Sequence, residues 1–73
     1  MAGMATVNEI AVECRAGIRE RLGFSKAHVA RIARVTPEAV GVWERGGYAK
    51  VRSDTRVAVE RLEATYRWMM LAE

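Results

Sequence analysis

Apolar residues along this chain recur at spacings of three and four and never alternate over a strand's length, so the pattern is helical throughout. Thr6 with Glu9 three residues on has the form of a capping box. Val7, Ala11, Cys14, Ile18 and Leu22 then share one face, which predicts a first helix of about four turns closed by Gly23. Residues 1–5 precede it as a loose end. Ser25 can cap a second helix whose narrow stripe is Val29, Ala30 and Ala33, with Lys26, His28, Arg31 and Arg34 pointing elsewhere. Arg34, Val35 and Thr36 form a break, with Val35 as the plug between two helices. Thr36 caps a third helix with Pro37 at its first position, where the missing N–H had no partner anyway. Val40 and Trp43 form its buried stripe, and Gly46 and Gly47 end it.

After a basic connection, Tyr48 to Arg52, in which Val51 reads as a core anchor, Ser53 or Asp54 caps a last helix over about 54–71. Val59, Leu62, Tyr66, Met69 and Met70 fall on one side of it and suit the domain's own core. Val57, Ala64, Trp68 and Leu71 lie about 140 to 200° round from Tyr66, close to a heptad if Arg61 fills the missing place. A helix apolar on opposite faces, in a small domain with one core, needs a second partner. The simplest is the same helix of another subunit, which makes Val57, Ala64, Trp68 and Leu71 a homodimer interface. The competing arrangement folds Trp68 and Leu71 back onto the first helix.

These patterns predict an all-α compact bundle of about four to five helices. Its length of 73 residues, with 51% hydrophobic, allows one domain, taken as 6–73, and a small core. No Ser/His/Asp set, carboxylate pair, phosphate loop or CxxC occurs, so neither an enzyme, a metal, a cofactor nor a small-molecule substrate is expected. His28 reads as a surface residue or at most a phosphate contact. Cys14 reads as a small buried hydrophobe, and a lone Cys suits a reducing cytoplasm. The first ten residues have neither the basic start nor the apolar run of a signal peptide or membrane span, and Met4 is an alternative start.

Charge sharpens the picture. The net charge is +3, but residues 15–52 carry nine Arg or Lys against three Glu, a net +6, while both flanks are slightly acidic. Such a concentration fits a polyanion-binding surface.

Phe24, Ser25, Val29, Ala30, Val35, Thr36, Val40, Trp43, Glu44 and Gly46 sit where the lambda-repressor-like family, the Cro and C1 type helix-turn-helix proteins, has its signature. The stretch 25–46 resembles that motif, and the likeness extends back to Ile18. Arg34 stands where the family usually has glycine, at a cost of about 1 kcal/mol in left-handed geometry, and Lys26 stands in place of the usual glutamine. The resemblance implies that Arg19 pairs with Glu44, tying the first helix to the third. It also implies that the helix from Pro37 enters the major groove, with Thr36, Pro37, Glu38, Gly41 and Val42 against the bases. Ser25, Lys26, Arg34, Arg45, Lys50 and Arg52 would then meet DNA phosphates. Gly41, unfavourable in a helix by about 1 kcal/mol, is either there for close approach or a tolerated weakness.

The expectation is therefore a small phage Cro-type repressor in a bacterial host cell, binding a two-half-site double-stranded DNA operator as a homodimer. Rival readings are the antitoxin of a toxin-antitoxin pair, whose extra apolar face grips a toxin, and a protein-interaction module that has lost DNA binding.

Overall fold

The computed structural model describes residues 9–72, and within them the chain forms four α-helices and no strand. Thr6, Val7 and the loose end at 1–5 lie outside the described residues. The helices are α1 (Val12–Arg21), α2 (Lys26–Ala33), α3 (Pro37–Glu44) and α4 (Arg56–Ala72). No helix among the described residues is long and apolar enough to cross a membrane.

Local chemistry accounts for the boundaries. At the end of α1, Gly23 has φ +73°, the Gly23 N–H donates to the Glu20 carbonyl at 3.0 Å and the Phe24 N–H to the Arg19 carbonyl at 3.2 Å. This paired arrangement needs a left-handed residue at its second-last position, which glycine adopts freely. The Ser25 hydroxyl accepts from the His28 N–H at 3.0 Å and starts α2. Arg34 closes α2 at φ +63°, with the Val35 N–H reaching the Ala30 carbonyl at 3.0 Å. The Thr36 hydroxyl accepts from the Ala39 N–H at 3.1 Å and, with Pro37, starts α3. α3 and the following loop are locked by Gly47, whose N–H donates to the Val42 carbonyl at 2.9 Å. A Cβ at Gly47 would lie 2.3 Å from Val42 Cγ1, so no other residue fits there undistorted.

The core is a contiguous cluster drawn from every helix: Ile18 of α1, Val29, Ala30 and Ala33 of α2, Val40 and Trp43 of α3, and Val59, Leu62, Tyr66 and Met69 of α4. Val35 and Val51 pack against its edge, and Ile10 closes it ahead of α1. The tilted rings of Trp43 and Tyr66, 4.7 Å apart, lie in its middle.

Four expectations need correction. First, α1 does not run from Thr6: Ile10 is in a bend and Ala11 is the extended residue before the helix. The inward face is Arg15, Ile18 and Arg19, with both guanidiniums bonded to the end of α3, and Ala11 and Cys14 are exposed. Second, Met70 is 48% exposed because it borders a groove with Ile10, Ala11 and Cys14 near the end of α4. Third, α4 begins at Arg56, and Thr55, not Ser53 or Asp54, borders it. The Thr55 hydroxyl accepts from the Arg52 N–H and donates to the Arg52 carbonyl. Fourth, Arg15 and Arg19 are buried, so they leave the basic surface.

Candidate nucleic-acid interface

α3 is held from beneath by a buried polar network. Arg19 Nε donates to Glu44 Oε2 at 2.7 Å and Arg19 Nη2 to Oε1 at 3.1 Å, a two-pronged pair between α1 and the last residue of α3. The Tyr66 hydroxyl of α4 donates to the same Oε2. Arg19 Nη1 spends a further bond on the Phe24 carbonyl at 3.0 Å. Burial alone would raise the Glu44 pKa, but the hydrogen bonds from Arg19 and Tyr66 outweigh it and hold the carboxylate below its ordinary 4.5. Arg19 is raised by its bond to Glu44, and Tyr66 is raised by burial and by that same carboxylate, so both remain protonated donors. Three helices are thereby fixed to one carboxylate.

A second buried cation supports the other side of α3. Arg15 lies with its guanidinium carbon 3.9 Å from the centre of the Trp43 ring and donates to the carbonyls of Trp43 at 2.6 Å and Ile10 at 3.0 Å. The Trp43 carbonyl lies in the last turn of α3 and also accepts from the Gly46 N–H at 3.1 Å, so Arg15 adds a second donor to the helix end. Desolvation lowers the Arg15 pKa, and the charge of buried Glu63 works against it, while the ring face and the two carbonyls hold the guanidinium in place.

With its buried side fixed, α3 turns its first residues outward. Thr36, Pro37 and Glu38 are exposed and Val42 is half-buried. Together with Lys26, Ala39, Gly41, Arg45 and Tyr48 they line one groove of about 680 Å³. Six of the expected contacts beside Thr36 therefore share a single surface: Lys26, Pro37, Glu38, Gly41, Val42 and Arg45.

Gly41 is the exception within that set. It is buried, so it does not itself present a base-reading group. A Cβ there would lie 3.2 Å from Arg45 Nη1 and 3.6 Å from Lys26 Nζ. The absent side chain thus lets a lysine of α2 and the arginine capping α3 converge over the helix backbone. Close approach is achieved by the cations lying on the helix.

The remaining expected phosphate residues are not in the groove. Ser25 is exposed at the start of α2, with its hydroxyl accepting from His28 N–H. Arg34 lies on the left-handed turn, and its carbonyl accepts from Arg61 Nη1 of α4 at 3.2 Å. Lys50 and Arg52 are exposed on the loop before α4. With Arg15 and Arg19 inside, the exposed charges between residues 15 and 52 are Arg21, Lys26, Arg31, Arg34, Arg45, Lys50 and Arg52 against Glu20 and Glu38. The surface remains strongly positive. The His28 ring meets Phe24 at a tilt, with ring centres 4.5 Å apart.

Tyr48 is a groove residue that the pattern did not single out. Its φ of +65° is unusual for a bulky side chain, and it packs partly on the core while lining the groove. The only hint in sequence was its position directly after two glycines.

On the face of α4 turned away from Tyr66, Val57, Trp68 and Leu71 are 52%, 51% and 87% exposed, and Ala64 is exposed between them. Trp68 and Leu71 therefore do not fold back onto α1. Among the described residues no three His, Cys, Asp or Glu side chains gather as metal ligands. No protein-family model, curated protein or solved structure matches the chain.

Proposed function

We propose that this protein is a sequence-specific double-stranded DNA-binding repressor of the Cro type, acting as a homodimer through a helix-turn-helix made of α2, the turn at Arg34 to Thr36, and α3. The single observation that carries this reading is the convergence of Lys26 and Arg45 over Gly41, on the face where Thr36, Pro37 and Glu38 begin α3. Two cations over the middle of α3, beside its exposed first residues, fit a polyanion that reaches around the helix, as phosphates flanking a major groove do.

Roles divide by chemistry. Glu38 can accept from cytosine N4, Thr36 can bond either way, and Pro37 and Val42 can meet a thymine methyl. Lys26 and Arg45 hold phosphates at the rim, with Ser25, Arg34, Lys50 and Arg52 extending the contact along the backbone. This reading surface has few hydrogen-bonding groups, so phosphate contacts and duplex shape supply much of the affinity. The network of Arg19, Glu44 and Tyr66 makes no contact of this kind; it keeps α3 at a fixed height above the core.

Selection of bound duplexes from a random pool tests the reading. Enrichment of two related half-sites supports it, and their spacing gives the separation of the two reading helices. A pool that emerges without enrichment, from a folded protein, contradicts it.

A further inference from the structure

The outer face of α4 carries enough pattern to say how a partner lies on it. Val57, Arg61, Ala64, Trp68 and Leu71 follow one another at spacings of four and three, the row of a coiled-coil seam. All five are exposed, opposite the fully buried Tyr66. The seam's flanks differ: by helical periodicity Glu60 and Arg67, one heptad apart, lie along one edge, and Ala58 and Thr65 along the other. Arg61 is the one charged member of the row. Its guanidinium is drawn aside to the Arg34 carbonyl at 3.2 Å, which leaves its aliphatic stem in the seam.

Resting on the homodimer reading above, we infer that a second copy of this chain packs on this face with its α4 antiparallel. In that arrangement Val57 meets the partner's Trp68, and the Arg61 stem meets the partner's Ala64, so large side chains face smaller ones. Along the charged edge Glu60 lies beside the partner's Arg67, and the two-fold axis repeats the pair. A parallel pairing sets Arg61 against the partner's Arg61 and Trp68 against the partner's Trp68. It turns Glu60 toward the partner's Thr65 and leaves no opposite-charge pair. Charge complementarity therefore selects one direction.

Within the chain Glu60 binds Arg56, and Arg67 binds Glu9 and Glu63. The Glu60 and Arg67 side chains nevertheless stay 44% and 48% exposed, and so can take a partner across the seam.

Disulfide trapping in a Cys14→Ser background tests the direction. Glu60→Cys and Arg67→Cys chains are mixed under mild oxidation, and Ala58→Cys and Thr65→Cys chains form an independent pair on the opposite edge. The second pair leaves the Arg67 ion pairs intact, so a folding defect at Arg67→Cys cannot decide the outcome. At least one mixed pair should cross-link roughly tenfold faster than either member alone. Rapid self-linkage of Leu71→Cys chains instead identifies a parallel dimer and overturns the inference, as does a dimer that no mixed pair joins; both outcomes leave the homodimer reading standing. A monomer by sedimentation at high concentration removes both.

Discussion

Arg19 and Glu44, separated by 25 residues, share two hydrogen bonds in the protein interior, and Tyr66 adds a third to the same carboxylate. The pair links the helix that scaffolds the fold to the end of the helix proposed to read DNA. Removing one partner of a buried ion pair leaves the other uncompensated, at a cost of about 3 to 5 kcal/mol. Arg19→Ala should therefore lower the melting temperature far more than Arg21→Ala, an exposed neighbour whose loss costs about 0.5 kcal/mol or less. Equal melting temperatures for the two variants would remove the pair's structural role.

The same carboxylate sets an acid limit. Glu44 is held below its ordinary 4.5 in the folded protein, so folding is favoured by its charge above that value and loses that contribution as pH falls through the lowered folded pKa. Thermal unfolding followed from about pH 6 down to about pH 3 should show a steepening loss of stability beginning below about pH 4.5. Glu44→Gln should be less stable at neutral pH and flatter across this window. Parallel pH curves for the wild type and Glu44→Gln would separate this carboxylate from acid unfolding.

Two glycines make a contrasting pair. At Gly47 a Cβ would collide with Val42 at 2.3 Å and with the Val42 carbonyl at 2.9 Å, both parts of a packed turn. At Gly41 it meets only the ends of Arg45 and Lys26. Gly47→Ala should destabilise the fold by roughly 2 kcal/mol or more. Gly41→Ala should keep or slightly raise stability, since alanine favours helix by about 1 kcal/mol, while weakening duplex binding several-fold by displacing the two cations. Unchanged duplex affinity in Gly41→Ala would mean that the cation pair over α3 does not matter for binding.

Trp68 is the largest exposed apolar side chain on the outer face of α4. If that face is the dimer seam, truncating its aromatic anchor costs about 2 kcal/mol or more in association, or some thirtyfold in the dimer constant. Sedimentation across a micromolar concentration series should show the wild type dimeric and Trp68→Ala largely monomeric. A wild type that stays monomeric throughout would exclude the seam.

The segment from Ser25 to Gly46 was readable because its signals are local. Ser25, Thr36, Pro37 and the glycines act within one turn of the residues they cap, and no distant contact can easily overrule them. The start of α1 was not readable in the same way: the spacing of Val7, Ala11 and Cys14 fitted a helix, but Ile10 instead anchors a bend and Val12 begins the turn. Arg15 is a related case. A charged residue is expected outside, and its burial depends on a ring face and a backbone carbonyl brought from α3, 28 residues away. Of the groove, Lys26 and Arg45 were legible as charges. Their meeting over Gly41 depends on how α2 crosses α3, which periodicity does not encode.

The most direct test is duplex affinity for the selected site with Lys26→Glu and Arg45→Glu, measured over a salt series beside Arg56→Glu, an exposed change at the start of α4. With about four phosphates neutralised per subunit, the wild-type dimer should lose affinity with a log–log slope of about −7. Each groove reversal should cut affinity by about tenfold or more and flatten that slope by about 1 to 2, while Arg56→Glu changes it little. Affinity that is insensitive to salt and untouched by reversal at Lys26 and Arg45 would contradict a DNA-reading face on α3.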